Sequence, residues 1–310
     1  MDIKISQLNR PIGKLFLITG ILTFALLKTI SAQDIEPRSY SVVPIGLHVA
    51  AVGYTYSFGD VISDGSSPIR DGNFHSNAFN LAYVQSFGFF KKLAKITVAL
   101  PYGVFQGTAN ILGVDTVGKK YGFADARLKF SVNLIGSPLI SPKDFRKFQE
   151  ETVFGASLVI SVPTGQYDPQ KLINIGSNRW GFKPELGFSE RLGRFYIEAY
   201  SGVWFFTTNN EFFKSNTLKE NALFNFQAHV DYILKSGIWF ALNGGYGAGG
   251  SLNLSGKELD NGQSNFRAGA TFSVPFNKNN SIRLMYNTGV TVLAGQNYSA
   301  FTLSYQYSWF

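Results

Sequence analysis

Apolar and polar residues alternate along most of the chain from residue 45 onward. In residues 125–134 the odd-numbered positions are polar and the even-numbered positions are apolar. A β-strand places these two sets on opposite faces, whereas a helix would mix them. The same separation recurs in residues 180–189 and 223–234. The pattern therefore predicts strands that have one apolar and one polar face.

Short connections alternate with long polar ones, and an even strand number with this asymmetry is typical of closed bacterial outer-membrane barrels. One connection, residues 136–152, is long on the side where the other turns are short, and its aromatic and charged residues predict a small periplasmic helix. The predicted long loops are 59–75, 103–123, 163–179, 207–221, 248–264 and 292–299. The twelve predicted strands are 47–58, 76–88, 94–102, 124–135, 153–162, 180–191, 195–206, 222–234, 238–247, 265–276, 281–291 and 300–310.

Alternation by itself is also compatible with a soluble β-sandwich or a lipocalin-like barrel, so other features must decide. Aromatic residues stand at strand ends, at 54–58, 204–206 and 309, as in the interfacial girdles of membrane barrels. In lipid, every backbone group of a strand must be paired, which requires a closed sheet. We therefore predict an all-β fold, a transmembrane antiparallel β-barrel of about twelve strands and of bacterial outer-membrane type.

Residues 1–32 predict a signal peptide. Basic residues precede an apolar run over 15–27, and small residues lead to Ala32, after which we expect cleavage. The run is shorter than the roughly 20 residues of a membrane-spanning helix, which makes an uncleaved anchor the weaker alternative. Residues 33–310 then form a single barrel domain, and we expect no N-terminal plug domain, because the stretch before the first strand is too short.

Composition excludes several classes of function. The 29 Phe, 15 Tyr and 32 Gly, with only 15% charged residues, suit a sheet that faces lipid. The lack of cysteine excludes disulfides, thiolate metal sites and a lipoprotein anchor. The formal charge of +8 is scattered along the chain rather than clustered, so we predict no nucleic-acid partner.

The last predicted strand carries a stripe of mostly aromatic residues and ends at Phe310. Such a strand resembles the signal that the outer-membrane assembly machinery reads, so we predict that machinery as a partner, together with outer-membrane lipid. The match is incomplete, because Phe310 falls on the face opposite the stripe, and any last strand of a barrel would carry a similar stripe.

Five stretches of the chain resemble a known family: residues 100–102, 123–125, 155–157, 162–168 and 174–187. Together they are similar to the outer-membrane transporters of the phenol-degradation (MetA-like) pathway family. The resemblance covers nearly all of the chain after the signal peptide, and its most specific part is 163–187. It implies an outer-membrane barrel that passes small solutes, among them aromatic or hydrophobic compounds. It brings no binding residues that could be carried over.

The polar faces of the strands predict a lumen. We expect it to be an aqueous passage in which acids and bases both occur, so no strong ion selectivity is predicted. The alternative is a closed interior filled by paired charges. The predicted lumen-lining residues are Lys95, Asp125, Arg127, Lys129, Lys183, Glu185, Glu198, Asn225, Gln227, His229, Asp231, Arg267 and Arg283.

The loop 163–179 is the candidate constriction loop, because it mixes proline, glycine and asparagine with cations and could fold inward to narrow the mouth. Its candidate residues are Gln166, Lys171 and Arg179. The alternative is an ordinary surface loop with no further role.

No pattern in the chain indicates catalysis. Residues 245–250 match G-x-G-x-x-G, but a loop follows them instead of a helix, so a glycine-rich strand end is the better interpretation. Among the histidines, at 48, 75 and 229, His229 has polar neighbours on its own strand face. Those neighbours are about 6.6 Å away along the strand, too far for direct contact. We predict no catalytic residues, no metal, no cofactor and no enzyme.

The sequence therefore predicts a passive channel or facilitator for small solutes in the bacterial outer membrane. Two alternatives share the architecture. One is a barrel with an occluded lumen, either a transporter of hydrophobic compounds or a structural or adhesive protein. The other, weaker alternative is an outer-membrane hydrolase, which would need a serine, a histidine and an orienting residue within hydrogen-bond reach of one another.

Overall fold

The computed structural model describes residues 35–62, 69–111, 114–171 and 173–310. The predicted signal peptide lies outside these residues. Across the described ranges, no helix is long and apolar enough to cross a membrane.

The described part of the chain is built almost entirely of strands. They are β1 (His48–Ile62), β2 (Ile69–Phe89), β3 (Lys92–Ile111), β4 (Val114–Phe123), β5 (Ala126–Ile135), β6 (Val153–Val162), β7 (Gly181–Leu192), β8 (Phe195–Phe206), β9 (Asn209–Phe212), β10 (Asn216–Glu220), β11 (Leu223–Ile233), β12 (Trp239–Gly249), β13 (Leu252–Leu254), β14 (Lys257–Glu258), β15 (Gln263–Pro275), β16 (Asn280–Val292) and β17 (Gly295–Trp309).

The long strands form a closed antiparallel barrel. Its order is β2-β1-β17-β16-β15-β12-β11-β8-β7-β6-β5-β3, and β3 pairs with β2 to close the ring. Both β4 and β5 pair with β3, at successive parts of its length, so together they fill one of the twelve positions. The prediction of a twelve-stranded antiparallel barrel is confirmed, because each predicted strand coincides with a strand of the ring.

The two faces of each strand separate as the alternation predicts. In β7, Leu186 is 67% exposed on the outside, while its neighbour Glu185 is 3% exposed on the inside. An apolar outer band and a polar interior are the arrangement of an outer-membrane barrel. One part of the predicted aromatic girdle is wrong: Trp204 and Phe206 face the lumen, and only Phe205 between them faces outward. Period two requires this, because positions 204 and 206 share the face of Tyr200.

Several predicted long loops are ordered strands. Residues 59–62 and 69–75 extend the β1–β2 hairpin, and residues 103–111 and 114–123 form the β3–β4 hairpin. Parts of 207–221 and 248–264 form a separate four-stranded sheet of β9, β10, β13 and β14, packed around a small apolar core. The extracellular end therefore carries ordered strands where the sequence predicted irregular loops.

The predicted periplasmic helix in 136–152 is wrong. Within that connection the structure has a single 3-10 turn, Phe145–Lys147. Prolines at 138 and 142 disfavour helical conformation in the residues that precede them. Phe145 and Phe148 instead pack against a buried apolar cluster that includes Tyr40 and Val42. The connection thus covers the periplasmic end of the barrel.

Candidate functional site: the barrel lumen

Residues 35–46, here called the lumenal segment, enter the barrel from its periplasmic end. They form no regular secondary structure, yet lumen side chains bind their backbone. The N–H of Glu36 donates to Gln227 Oε1 at 2.9 Å, and the N–H of Arg38 donates to Glu198 Oε2 at 2.6 Å. These barrel residues were predicted to line the lumen, and they bind a piece of the chain itself.

The carbonyl groups of the lumenal segment are bound in the same way. Lys95 Nζ donates to the carbonyl oxygens of Ser39 at 2.6 Å and Ser41 at 3.2 Å. Asn133 Nδ2 donates to the carbonyl oxygen of Tyr40 at 2.9 Å. A buried backbone group without a partner is costly, so these side chains make an irregular segment stable inside the barrel.

Tyr40 anchors the lumenal segment in a notch between two strands. Its side chain is fully buried, and a Cβ atom at Gly155 or Gly187 would overlap its ring. The ring stacks edge-on against Tyr200, with centroids 5.1 Å apart, and the hydroxyl donates to Ser157 Oγ at 3.0 Å. Burial raises the pKa of Tyr40, so its hydroxyl stays protonated as a donor. The two glycines thus leave room for this aromatic ring.

A chain of charges links the lumenal segment to β5 and β7. Lys129 Nζ lies 2.9 Å from a Glu36 carboxylate oxygen and 3.7 Å from Glu185, and Lys183 Nζ lies 2.7 Å from Glu185. Desolvation raises the pKa of Glu36, but the Lys129 ammonium outweighs this effect and lowers that pKa to about 2. Glu36 is therefore ionised at neutral pH and paired.

Arg38 connects the lumenal segment to a third group of barrel residues, after the Tyr40 notch and the charges around Lys129. Its guanidinium lies over the rings of Tyr196 at 4.8 Å and Trp239 at 5.7 Å. One of its Nη atoms is 4.0 Å from Asp231. The guanidinium carbon of Arg283 also lies near this cluster, 5.1 Å from the centroid of the Trp239 ring. Cation–π contacts and an acid at long range hold the arginine inside the barrel.

The lumenal segment is too short to be a plug domain, yet it occupies part of the lumen. Twelve residues can be held there because the barrel's own side chains supply the hydrogen bonds that a larger plug domain would make internally. The same charges that suggested an open polar passage are used to bind this segment.

A cavity of about 440 Å³ occupies the lumen beyond the lumenal segment. Ile35 lies at its inner end, and residues of the loop 163–179 line its outer end. Asp125 holds that loop inward: its carboxylate accepts the N–H groups of Gly165 and Ser177, both at 2.9 Å. The loop also bonds to the barrel wall through the N–H of Gln166, which donates to the carbonyl of Phe123 at 2.8 Å.

Of the three candidate constriction residues, Arg179 alone lines the cavity, where it pairs with Glu220. Gln166 is exposed and packs against Gly122, and Lys171 is exposed and does not line the cavity. The loop therefore folds inward, as expected for a constriction. It contributes Arg179 to the lining of the cavity, but not Lys171.

All thirteen predicted lumen residues lie on the inner face of the barrel. His229 Nδ1 donates to Asn243 Oδ1 at 2.8 Å, and Asn243 Nδ2 in turn donates to Thr271 Oγ1 at 3.0 Å. Among the described residues, no group of three or more acids and histidines could hold a metal ion. The half-buried members are Lys95, Arg127, Lys129 and Arg283, and the buried ones are Asp125, Lys183, Glu185, Glu198, Asn225, Gln227, His229, Asp231 and Arg267.

Two sets of residues at this site were missed from the sequence. The first is the lumenal segment with Arg38 and Tyr40. Its prolines at 37 and 44 signal an irregular segment, but nothing local indicates that it enters the barrel. The second is the aromatic lining of the cavity, with Trp204 and Tyr298. Strict application of the period-two rule to residues 204–206 would have found Trp204.

Comparison with known proteins agrees with this architecture. A family model described as "Putative MetA-pathway of phenol degradation" matches residues 55–309. The chain belongs to this family. The match confirms the resemblance seen in the sequence motifs and spans every barrel strand at least in part. No curated protein matches the chain.

Solved structures place this member of the family among outer-membrane barrels. The COG4313 outer membrane channel from Pseudomonas putida F1 matches with a TM-score of 0.77 at 19% identity, over 89% of this chain and 100% of that one. The beta domain of the Bordetella autotransporter BrkA matches with a TM-score of 0.51 at 12% identity, over 85% and 100%. The transport unit of the autotransporter AIDA-I from Escherichia coli matches with a TM-score of 0.51 at 10% identity, over 95% and 99%. The chain thus has the fold of a bacterial outer-membrane barrel.

Proposed function

We propose that this protein is a passive outer-membrane channel for small solutes, closed on its periplasmic side by the lumenal segment. The observation that carries the proposal is the cavity of about 440 Å³ inside the barrel, in series with that segment. A solute enters past the inward-folded loop 163–179, occupies the cavity and leaves when the lumenal segment shifts. Movement follows the concentration gradient.

The contacts of the lumenal segment suit a gate better than a permanent seal. Beside the Tyr40 notch, the Arg38 cation–π contacts and the apolar cluster around Val42, many of them are hydrogen bonds and ion pairs, which water can replace when the segment leaves. The Glu36 side chain also remains partly solvated, since it is 54% exposed. The name of the family and the aromatic cavity wall support small aromatic compounds as solutes.

Single-channel conductance in a planar bilayer tests the proposal. The protein is purified from outer membranes, where the cell removes any leader, and is compared with a variant lacking residues 35–41. We expect rare, small steps for the intact protein and frequent, larger steps for the variant. Because the lumenal segment closes the periplasmic side, the structure is also compatible with an alternative function, a structural or adhesive barrel with an occluded lumen. Silence from both correctly inserted proteins would reject the channel and leave a barrel with an occluded lumen.

The charges facing the solute give a second test. Arg267 lines the cavity, and Arg283 lies at the lumenal segment. In a conducting barrel, Arg267→Glu and Arg283→Glu shift the preference between anions and cations toward cations. An unchanged reversal potential in a salt gradient would show that ions do not pass these residues.

We infer that the chain is exported by its predicted signal peptide and starts at Gln33 after cleavage. Mass spectrometry of the purified protein tests this cleavage site.

We also infer that the assembly machinery reads the last strand, so Phe310→Ala should lower the amount of folded protein in the outer membrane. An unchanged amount would remove Phe310 from that signal.

A further inference from the structure

The cavity of about 440 Å³ has the dimensions and lining of a ligand site. Small-molecule sites range over about 300–1,000 Å³ and combine apolar walls with a few fixed polar groups. Here Trp204 and Phe206 form one wall, with their rings stacked at 5.8 Å, and Tyr298 belongs to another. These rings offer flat apolar surface to a planar compound.

The ionisable lining of the cavity is predominantly cationic. Its bases are Lys120, Arg127, Arg179 and Arg267, and its acids are Asp125 and Glu220. Both acids are engaged by the protein. Asp125 accepts backbone N–H groups of the loop 163–179, and Glu220 pairs with Arg179. A solute in the cavity is therefore surrounded by more positive than negative charge.

Arg179 is the cation best placed to bind a ligand. It is 7% exposed, its guanidinium lies 4.4 Å from the Phe206 ring centroid, and one Nη pairs with Glu220. Its other Nη atom, Nη1, is buried and has no hydrogen-bond partner within the described residues. A buried guanidinium N–H without an acceptor is unfavourable, and a carboxylate is the acceptor whose geometry fits it best.

A second arginine extends this cationic lining. Arg267 lies with its guanidinium carbon 3.8 Å from the centroid of the Tyr298 ring. Its Nη2 donates to the carbonyl oxygen of Gln296 at 2.7 Å, which fixes the orientation of the guanidinium. The cavity thus repeats one arrangement, an arginine laid on an aromatic ring.

We propose that the cavity binds small organic monoanions that carry a carboxylate on a planar apolar body, such as single-ring aromatic acids. The carboxylate bonds to Arg179, and the ring packs against Trp204 and Phe206. This inference rests on the proposed function and names the class of solute. The proposal also implies that the lumen, which contains both acids and bases, prefers anions. The sequence did not predict this preference.

Three probes of one size and different charge test the inference: benzoate, benzamide and benzylamine. Each is titrated by calorimetry into the intact protein in detergent micelles, where no conduction is needed. We expect benzoate to bind more tightly than benzamide by about tenfold, as one charged hydrogen bond implies, and benzylamine to bind least. Equal binding of benzoate and benzamide would overturn the proposal.

Variants locate the carboxylate. Arg179→Gln should weaken benzoate binding by about tenfold and leave benzamide unchanged. The matched control is Lys171→Gln, which removes an exposed cation from the same loop and should change neither. Heat-modifiable migration on a gel confirms that each barrel is folded.

Glu220→Gln decides the question if Arg179→Gln does not fold. It removes the carboxylate that competes for Arg179 and leaves a buried guanidinium in need of an anion. Benzoate should then bind more tightly, and unchanged or weaker binding would reject the site. The ligand site and the proposed channel can fail independently. A protein that binds benzoate but never conducts would support the site and reject the channel. A protein that conducts but does not bind benzoate would support the channel and reject the site.

Discussion

Replacing Tyr40 by alanine should release the lumenal segment from the barrel. The ring is fully buried between Gly155 and Gly187, and it contacts Tyr200 and Ser157. All of these contacts exist only while the segment is docked. Their loss therefore acts on the docking equilibrium and leaves the barrel strands intact.

The size of the effect follows from burial. Truncating a buried aromatic side chain to alanine costs about 3–5 kcal/mol. Since about 1.4 kcal/mol corresponds to a factor of ten, Tyr40→Ala should raise the undocked fraction by about a hundredfold to several thousandfold. Tyr40→Phe keeps the ring and loses the hydroxyl bond to Ser157. That bond contributes about 1 kcal/mol, so the expected rise is about fivefold.

A single introduced cysteine measures the undocked fraction, because the chain contains none of its own. Ser41 is suited to the purpose: it is 8% exposed, and its hydroxyl has no hydrogen-bond partner among the described residues. In the Ser41→Cys background, the rate of labelling by a maleimide in excess follows the population of the undocked segment. The single-channel open probability, measured on the same proteins, should rise in parallel.

Two outcomes would refute this reasoning. Equal labelling rates for Tyr40→Ala and its parent would show that the notch does not hold the segment. Faster labelling with unchanged conductance would show that the segment leaves the barrel without gating it. Tyr307→Ala is the control, because Tyr307 is a barrel aromatic on the outer face and should alter neither quantity.

Three further predictions use the same assays or equally direct ones. Gly187→Ala places a methyl group into the tyrosine ring and should raise labelling as strongly as loss of that ring, whereas Gly103→Ala, with open space around it, should not. Because the pKa of Glu36 is lowered to about 2, its pair with Lys129 stabilises docking above pH 4.5 and loses that effect as pH falls toward 2; the open probability should rise over this range in the parent and not in Glu36→Gln. Leu186→Arg introduces a charge on the lipid face and should lower the free energy of unfolding by about 2–4 kcal/mol in urea titrations in lipid vesicles, unlike an arginine placed in an extracellular loop.

The strands could be predicted from the sequence because alternation is a local property. Leu186 and Glu185 differ in polarity, and a strand must send them to opposite faces whatever the rest of the chain does. The predicted strand ends were less accurate, since the strands continue over 59–62, 69–75, 103–111 and 114–123, beyond the apolar stretches. There, pairing with the neighbouring strand maintains the β-conformation without an apolar face to reveal it.

The lumenal segment could not be predicted because its contacts are separated by long stretches of chain. Tyr40 and Gly187 lie far apart in sequence, and the notch exists only when β6 and β7 pair and bring Gly155 opposite Gly187. A glycine in a strand pattern indicates close approach of some other group, but it does not say which one. The pairing of Arg179 with Glu220 is of the same kind.

The lumen charges show how one residue type can serve two purposes that sequence cannot separate. Lys129, Lys183 and Glu185 satisfy one another and Glu36 in the periplasmic half, so they contribute little net charge to a passing solute. In the cavity the acids are bound by the protein, and the arginines predominate. If all lumen charges are counted together, no ion selectivity is predicted. If the charges that contact the lumenal segment are counted apart from those that line the cavity, the prediction is a cavity that prefers anions, in series with a neutral gate. Selectivity would then be set by the cavity, and the frequency of opening by the segment.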